Sequence, residues 1–404
     1  MDCLDMSDEY IYKWCRSVKD IDVSDWTQIY GLDIIKSREF FLANEDANFE
    51  NVEFYYLQVF KGDVIVAIVP CFCYRMDILN IASSPAARKW LVWIRKFYSS
   101  FLKMRAFVTG SYAASCEHFI CYASSLDTKS KEEVSSIISG EIKKYSGKTK
   151  SSFVFIKDVR ERDLQYVKDI LTSDYHFFVS FPTTAIPVLS DLEYPDALRK
   201  KNRKRYRKYK NLFDTSFEWN IINNVSGENA QKFYALYKLV LDKAKNKFEF
   251  LNPRFFDLLG KLLGEKAFLL IASDKKTGEF RVMELVIEDT DRLIPLYLGV
   301  KYKSDDTKVL YLNTIFRTVK EAEKRGKSFV DLGQTSYYPK TMSGALVENI
   351  YYGFWSKNKI IKWLIDNMFD RIFSQPTVPK HVYLEKYAEI AHQILQDKGF
   401  VLIN

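Results

Sequence analysis

Between residues 267 and 300 the chain sets three apolar runs, "AFLLIASD", "FRVMELVIED" and "RLIPLYLGV", between the short polar turns "KKTGE" and "DTD". Strand-length runs joined by such turns suit hairpins, so an antiparallel three-stranded meander is predicted. Far upstream, "NVEFYYLQVFKGDVIVAIVPCFCYRMDI" predicts another antiparallel pair turning at Lys61 to Asp63. "AARKWLVWIRKFYSSFLKM" and "KEEVSSIISGEIKKYS" space their apolar residues as helices do, and "RAFVTG", "HFICYAS" and "SFVFIKD" read as short strands. The meander is preceded by a strand "FEWNIINN", a helix "NAQKFYALYKLVLDKAKN" and a helix from about Pro253 to Leu263. It is followed by "DDTKVLYLNTIFRTVKEAEKRG", a helix begun at Asp305 or Asp306 and ended at Gly326, and then by the strand "SFVDLG". The pattern predicts an N-terminal unit over 1–185 and a C-terminal unit over 186–404, closed by helices.

With 404 residues and 47% hydrophobic content, the chain has ample material for buried cores. Its charge changes the picture in one place. "LRKKNRKRYRKYKN", residues 198 to 211, holds nine Lys or Arg and no acid, which exceeds the net charge of +8 for the whole chain. Read as a helix, the run places Leu198, Tyr206, Tyr209 and Phe213 on one stripe and its cations elsewhere. Phosphates of a CoA, a carrier-protein arm or a tRNA would be drawn to it, and no DNA partner is expected.

The first thirty residues lack the basic start, apolar core and cleavage site of an export signal, and no apolar run reaches the roughly 20 residues that span a bilayer. A cytoplasmic location and no transmembrane segment are therefore expected. Six cysteines, with Cys71 and Cys73 one residue apart and Cys116 and Cys121 five positions apart, have no zinc-knuckle or redox spacing. They read as reduced core thiols. His118, His176, His381 and His392 are too dispersed for a metal cluster, so no metal site is expected. "KNKIIKWLIDNMFDRIF" has helical periodicity; packing against its domain is the default expectation, and a membrane-surface or partner contact is the other.

The order of helices, meander, loop, helix and strand resembles the core of the GNAT acyltransferase fold. Three stretches point to the Fem-type, peptidoglycan-biosynthesis-like (FemAB-like) branch, whose members carry two tandem GNAT-like domains. "LRKKNRKRYRKYKNLFDTSFEWNIINN" resembles the basic helix that opens their second domain, and "YLGVKYKSDDTKVLYLNTIFRTVKEAEKRGKSFVDLG" is similar to their strand, loop, helix and "DLG"-like strand ending. "TSYYPKTMSGALVENIYYGF" matches their Lys followed by Gly, here Lys340 and Gly344, and "GDVIVAIVPCFCY" looks like their early strand pair. The resemblance covers most of residues 50 to 360. It implies an α/β (α+β) fold of two mixed, mainly antiparallel sheets flanked by helices.

It also implies amide formation by transfer of an acyl or aminoacyl group to the amine of a small-molecule or peptide-like acceptor lying between the domains. That chemistry requires a neutral amine, a polarised donor carbonyl and support for the leaving group. The strand "RLIPLYLGV" would offer backbone N–H groups near Leu298 and Gly299, with Tyr297 beside them. Donor phosphates would meet Lys301, Lys303, Lys308 and Asn313, together with Lys201, Arg203, Lys204 and Arg207 of the basic helix. The loop "KYKSDDTK" departs from acetyl-CoA enzymes: their Gln or Arg followed by spaced glycines is missing, and Asp305 and Asp306 stand there. The resemblance places Lys340 late in the active-site groove, clustered with Tyr337 and Tyr338. Glu284, in mid-strand among apolar neighbours, and Asp331 are the candidate bases. No tightly bound cofactor is needed; the donor is an acyl-CoA, an acyl-carrier protein or, second, an aminoacyl-tRNA. The contrasting expectation is a non-catalytic GNAT-like scaffold that binds RNA or an acidic protein.

Overall fold

The computed structural model describes residues 5–6, 10–77, 79, 85–99, 103–114, 117–171, 174–189, 193–244, 249–302, 306–372 and 382–403. Lys303, Asp305, Cys116 and His381 lie outside them. The chain does not divide at a single point. One unit comprises residues 1–180, 245–251 and 350–375, and the other 181–244, 252–349 and 376–404.

In the first unit, Tyr10–Cys15, Glu53–Lys61, Val64–Asp77 and Lys103–Thr109 follow one another antiparallel. Gly62, at φ 58°, makes the turn predicted between Lys61 and Asp63. Lys103–Thr109 then runs parallel to Phe153–Arg160, and the sheet continues antiparallel through Ile350–Trp355 to His176–Val179. Val64–Asp77 is buried continuously from Ile65 to Tyr74, because a central strand covered on both faces has no wet side. The helix Thr128–Lys148 lays Val134, Ile138 and Ile142 on this sheet.

Strands and helices of the second unit are labelled in chain order: β1 (Thr183–Pro187), α1 (Lys200–Ser216), β2 (Phe217–Ile222), α2 (Glu228–Lys243), α3 (Pro253–Leu263), β3 (Ala267–Asp274), β4 (Phe280–Glu288), β5 (Arg292–Val300), α4 (Thr307–Lys324), β6 (Phe329–Asp331), α5 (Tyr337–Met342), β7 (Leu346–Glu348) and α6 (Glu385–Asp397). The sheet order is β2-β3-β4-β5-β6-β1-β7, antiparallel except at the β5–β6 step. The predicted meander is β3, β4 and β5. Helix α4 packs Leu312, Ile315, Phe316 and Val319 against Phe268, Leu270, Val286 and Leu293. Its N-cap is Asp306, whose carboxylate makes no capping bond and instead pairs with Arg281 at 2.8 Å. Gly326, at φ 66°, ends it as expected.

The basic helix is docked by the predicted stripe. Leu198 and Phe213 are buried, the Tyr206 ring lies 4.5 Å from Phe316, and Phe213 stacks on Trp219 at 4.9 Å. The segment "KNKIIKWLIDNMFDRIF" lies against the strand His176–Val179 of the first unit, with Asp366 3.6 Å from His176. It forms a helix over Lys359–Ile372, but Ile360 and Trp363 are exposed.

Candidate active site

Strand β5 keeps β4 as its partner through Val300, whereas β6 pairs only with Arg292 and Leu293. Beyond Leu293 the two strands part. The register of β4 against β5 shifts at Leu285/Val286, leaving Leu296 as the extra residue of a bulge. Lys301 N–H donates to the Arg281 carbonyl at 2.9 Å, which turns the amides of Gly299 and Tyr297 toward β4 by alternation. The amide of Leu298 therefore points to the edge that β6 leaves uncovered. This edge is the kind of donor a carbonyl oxygen needs.

Glu284 is the register partner of Leu298, one strand away. Its neighbours Val282 and Val286 are fully buried and its own exposure is 6%, so this face of β4, covered by α4, is dry, as is the opposite face through Met283, Leu285 and Ile287. Burial pushes the carboxyl up to about 8; the Thr318 hydroxyl and the Lys340 charge oppose that shift. Thr318 Oγ1 lies 2.5 Å from Glu284 Oε2 and 2.9 Å from the Thr314 carbonyl. A hydroxyl has one proton, so both bonds are satisfied when the neutral Glu284 acid donates to Thr318 and Thr318 donates onward.

Tyr311, also on α4, sits in the same cluster. Burial raises its phenol to about 12, the Ser336 side-chain hydrogen bond opposes this, and the Glu284 charge adds to it. Ser336 and Thr335 both hold left-handed backbone, at φ 52° and 64°, just after Gly333 at 64°. Consecutive non-glycine residues in that region store strain, a feature concentrated at functional sites. What holds this loop is Lys340. Its ammonium donates to the carbonyls of Leu332, Gly333 and Gln334 at 2.7, 3.2 and 2.7 Å, matching its three protons with three acceptors. The sequence expectation had Lys340 facing substrate or phosphate; in the structure it is buried and fixes the loop beside Glu284. Gly344, at φ 101°, follows because a Cβ there would lie 2.8 Å from the Tyr383 hydroxyl, which donates to its carbonyl at 2.6 Å.

Several other expected site residues serve packing. Asp331 accepts from Arg292 at 3.1 Å and from the Gly333 amide at 3.3 Å, which makes it a strand-end anchor rather than a free base. Asn313 donates to the carbonyls of Tyr209 and Val309, pinning α1 to α4. Gly299 is a place of close approach, but the approaching group is protein: a Cβ would lie 2.6 Å from Leu236 Cβ. Tyr297 packs among Tyr237, Phe255 and Phe256. Lys301 pairs with Glu279, and Lys308 is exposed on the first turn of α4. Tyr337 donates to the Pro182 carbonyl at 3.0 Å. Tyr338 remains exposed, with the Arg205 guanidinium 6.0 Å from its ring centre. Lys201, Lys204 and Arg207 are exposed, as are Lys200 and Lys208, while Arg203 lies 4.0 Å from Asp196. The sequence reasoning missed Tyr311, Thr314 and Thr318. Their spacing of three, then four, aligns three hydroxyls on one helix face, a signal present in "YLNTIFRT".

A mixed sheet in each unit, split at its parallel step and backed by a helix between the parting strands, defines a protein of the tandem GNAT type. The structure overlays on the crystal structure of FemX with a TM-score of 0.54 at 10% identity, covering 88% of this chain and 100% of that one. It overlays on a tandem GNAT protein from the clavulanic acid biosynthesis pathway with a TM-score of 0.53 at 8% identity, covering 87% and 99%. No curated protein sequence matches. The FemAB_like family model, described as peptidoglycan biosynthesis/recognition, matches residues 131–372. The chain belongs to the FemAB-like family.

Proposed function

We propose that the second unit transfers an acyl or aminoacyl group from an activated donor on a polyanionic carrier to an amine, with Glu284 as general base. The amine nitrogen attacks the donor carbonyl carbon and the C–N bond forms. Negative charge develops on the carbonyl oxygen and is met by the Leu298 N–H. The Glu284 carboxylate takes the proton from the attacking nitrogen. Collapse of the intermediate breaks the C–O or C–S bond, and the leaving oxygen or sulfur recovers that proton from the Glu284 acid. Lys340 and the hydroxyls of Thr318 and Tyr311 position this centre. The observation that carries the reading is the buried, hydroxyl-bonded carboxyl one strand from an uncovered amide edge. The exposed cations of α1 favour a carrier rich in phosphate or carboxylate.

The test is amide formation, followed by mass spectrometry, from an aminoacyl-tRNA, an acyl-carrier protein and acyl-CoAs with a panel of amine acceptors. One donor class should react, with turnover rising with pH through about 8 as Glu284 ionises. Glu284→Gln should lower turnover by about 10²- to 10⁴-fold and leave KM nearly unchanged. Binding of tRNA through α1 with no amide from any donor would replace catalysis with the scaffold reading.

A further inference from the structure

The first unit carries a helix, Pro85–Arg95, whose polarity is inverted relative to an ordinary surface helix. Leu91 points inward and is buried, while Trp90 and Val92 are exposed, Trp93 is 58% exposed, and beyond the helix end Phe97 and Tyr98 are 70% and 71% exposed. Trp90, Trp93 and Phe97 fall three and four residues apart and share one face, with the Trp93 and Phe97 rings 5.6 Å apart. The helix is held in this attitude. Arg95 forks onto both carboxylate oxygens of Asp77, at 3.0 and 2.6 Å, and Arg88 donates to the Leu79 carbonyl at 2.7 Å.

Charge says what covers this ridge. Residues 85 to 99 contain no acid, and Lys89 and Lys96, four and three residues from Trp93, are exposed beside the rings. Rings of this kind seat at the headgroup level of a bilayer while lysines reach its phosphates, and cations near an anionic leaflet add to the attraction. A ridge of rings with different reach suits a deformable surface. The same unit exposes Ile360 and Trp363 among Lys357, Lys359 and Lys362. No helix among the described residues is long and apolar enough to cross a membrane, so the contact is with one face.

We infer that the helix Pro85–Arg95, with Phe97 and Tyr98, docks the protein on the surface of an anionic phospholipid bilayer. The experiment is co-sedimentation of the full chain with phosphatidylcholine vesicles, with and without phosphatidylglycerol, alongside tryptophan emission. Phosphatidylglycerol vesicles should retain the protein and shift its emission to the blue. Lys89→Glu with Lys96→Glu, and separately Trp93→Ser with Phe97→Ser, should each weaken retention by about tenfold or more. Both variants change exposed side chains and should keep the wild-type melting temperature. Lys204→Ala with Arg207→Ala and Lys208→Ala, in the other unit, should leave retention and the blue shift in place. The inference is overturned if phosphatidylglycerol vesicles do not retain the protein, if the ring variant binds like wild type, or if only the α1 variant loses binding.

Discussion

The two units repeat one sheet plan and treat its weak point differently. In each, a run of antiparallel strands, five in the first unit with Asp5–Met6 at its edge and four in the second, meets a parallel step that is followed by two more antiparallel strands. In the first unit the parallel strands pair at four positions, from Ala106↔Phe153 to Thr109↔Ile156; in the second they pair at two, Arg292↔Phe329 and Leu293↔Val330. The first unit then closes its split with charge. Lys157 donates to the Ser111 and Ala114 carbonyls and lies 3.4 Å from Asp158, and Arg160 lies 3.2 Å from Glu117. Its strand Val64–Asp77, which by sheet order corresponds to β4, has no acid from Val64 to Tyr74. The second unit places a carboxyl, Glu284, on that strand, where burial pushes it up to about 8. A scaffold satisfies its buried charges with opposite ones, whereas acid–base chemistry needs one poised near the working pH.

The largest effect should come from breaking the first unit's pairing. Arg160→Leu leaves Glu117 buried beside the more distant Lys36, at 3.7 Å, and should cost about 3 to 5 kcal/mol in chemical denaturation. If it is neutral, the paired charges do not hold that unit together.

Glu284→Gln should do the opposite to stability while removing activity. Glu284 binds its proton more tightly folded than unfolded, so the stability it permits is fully present below about 4.5 and is lost as pH rises toward 8. The amide does not titrate. Melts of the variant and the wild type should therefore nearly coincide at acid pH and separate by a few kcal/mol at pH 8, with the variant more stable. Equal gaps at both pH values would mean that the carboxyl titrates normally.

Gly299→Ala tests whether β5 is held by α2 or left open for a ligand. The Cβ meets helix backbone, with the Tyr237 nitrogen at 2.7 Å, so a loss of about 1 to 3 kcal/mol is expected in the same denaturation assay. The smallest effect should come from α1. Replacing Lys200, Lys204, Arg207 and Lys208 with Ala should change stability by less than about 1 kcal/mol while flattening the salt dependence of polyanion binding, measured by titration at several ionic strengths. These two outcomes together would separate a docked helix from its free charges.

How much of this was legible depends on how local each cause is. Hairpin turns sit within a few residues of the strands they join, so the boundaries of β3, β4 and β5 follow from the alternation and from "KKTGE" and "DTD". The stripe Leu198, Tyr206, Tyr209 and Phe213 fixed which side of α1 packs, because helical periodicity is set by the backbone alone. The strands Thr183–Pro187 and Ile350–Trp355 were not legible. Each enters the interior of a sheet beside partners far away in the chain, and no local pattern encodes that choice.

The sequence by itself determined the two-unit α/β plan, the docked basic helix, the family and a carboxyl in the middle of β4. Only the tertiary structure decided what that carboxyl is. Its neutral form comes from burial under α4, and it is opposed by a hydroxyl 34 positions away at Thr318 and by the charge of Lys340, which folds the neighbouring loop. The same folding turned Asp331, Asn313 and Gly299 from candidate chemistry into packing. Burial and electrostatics act through space at a few ångströms, and spacing along the chain reports them only when both partners share one element.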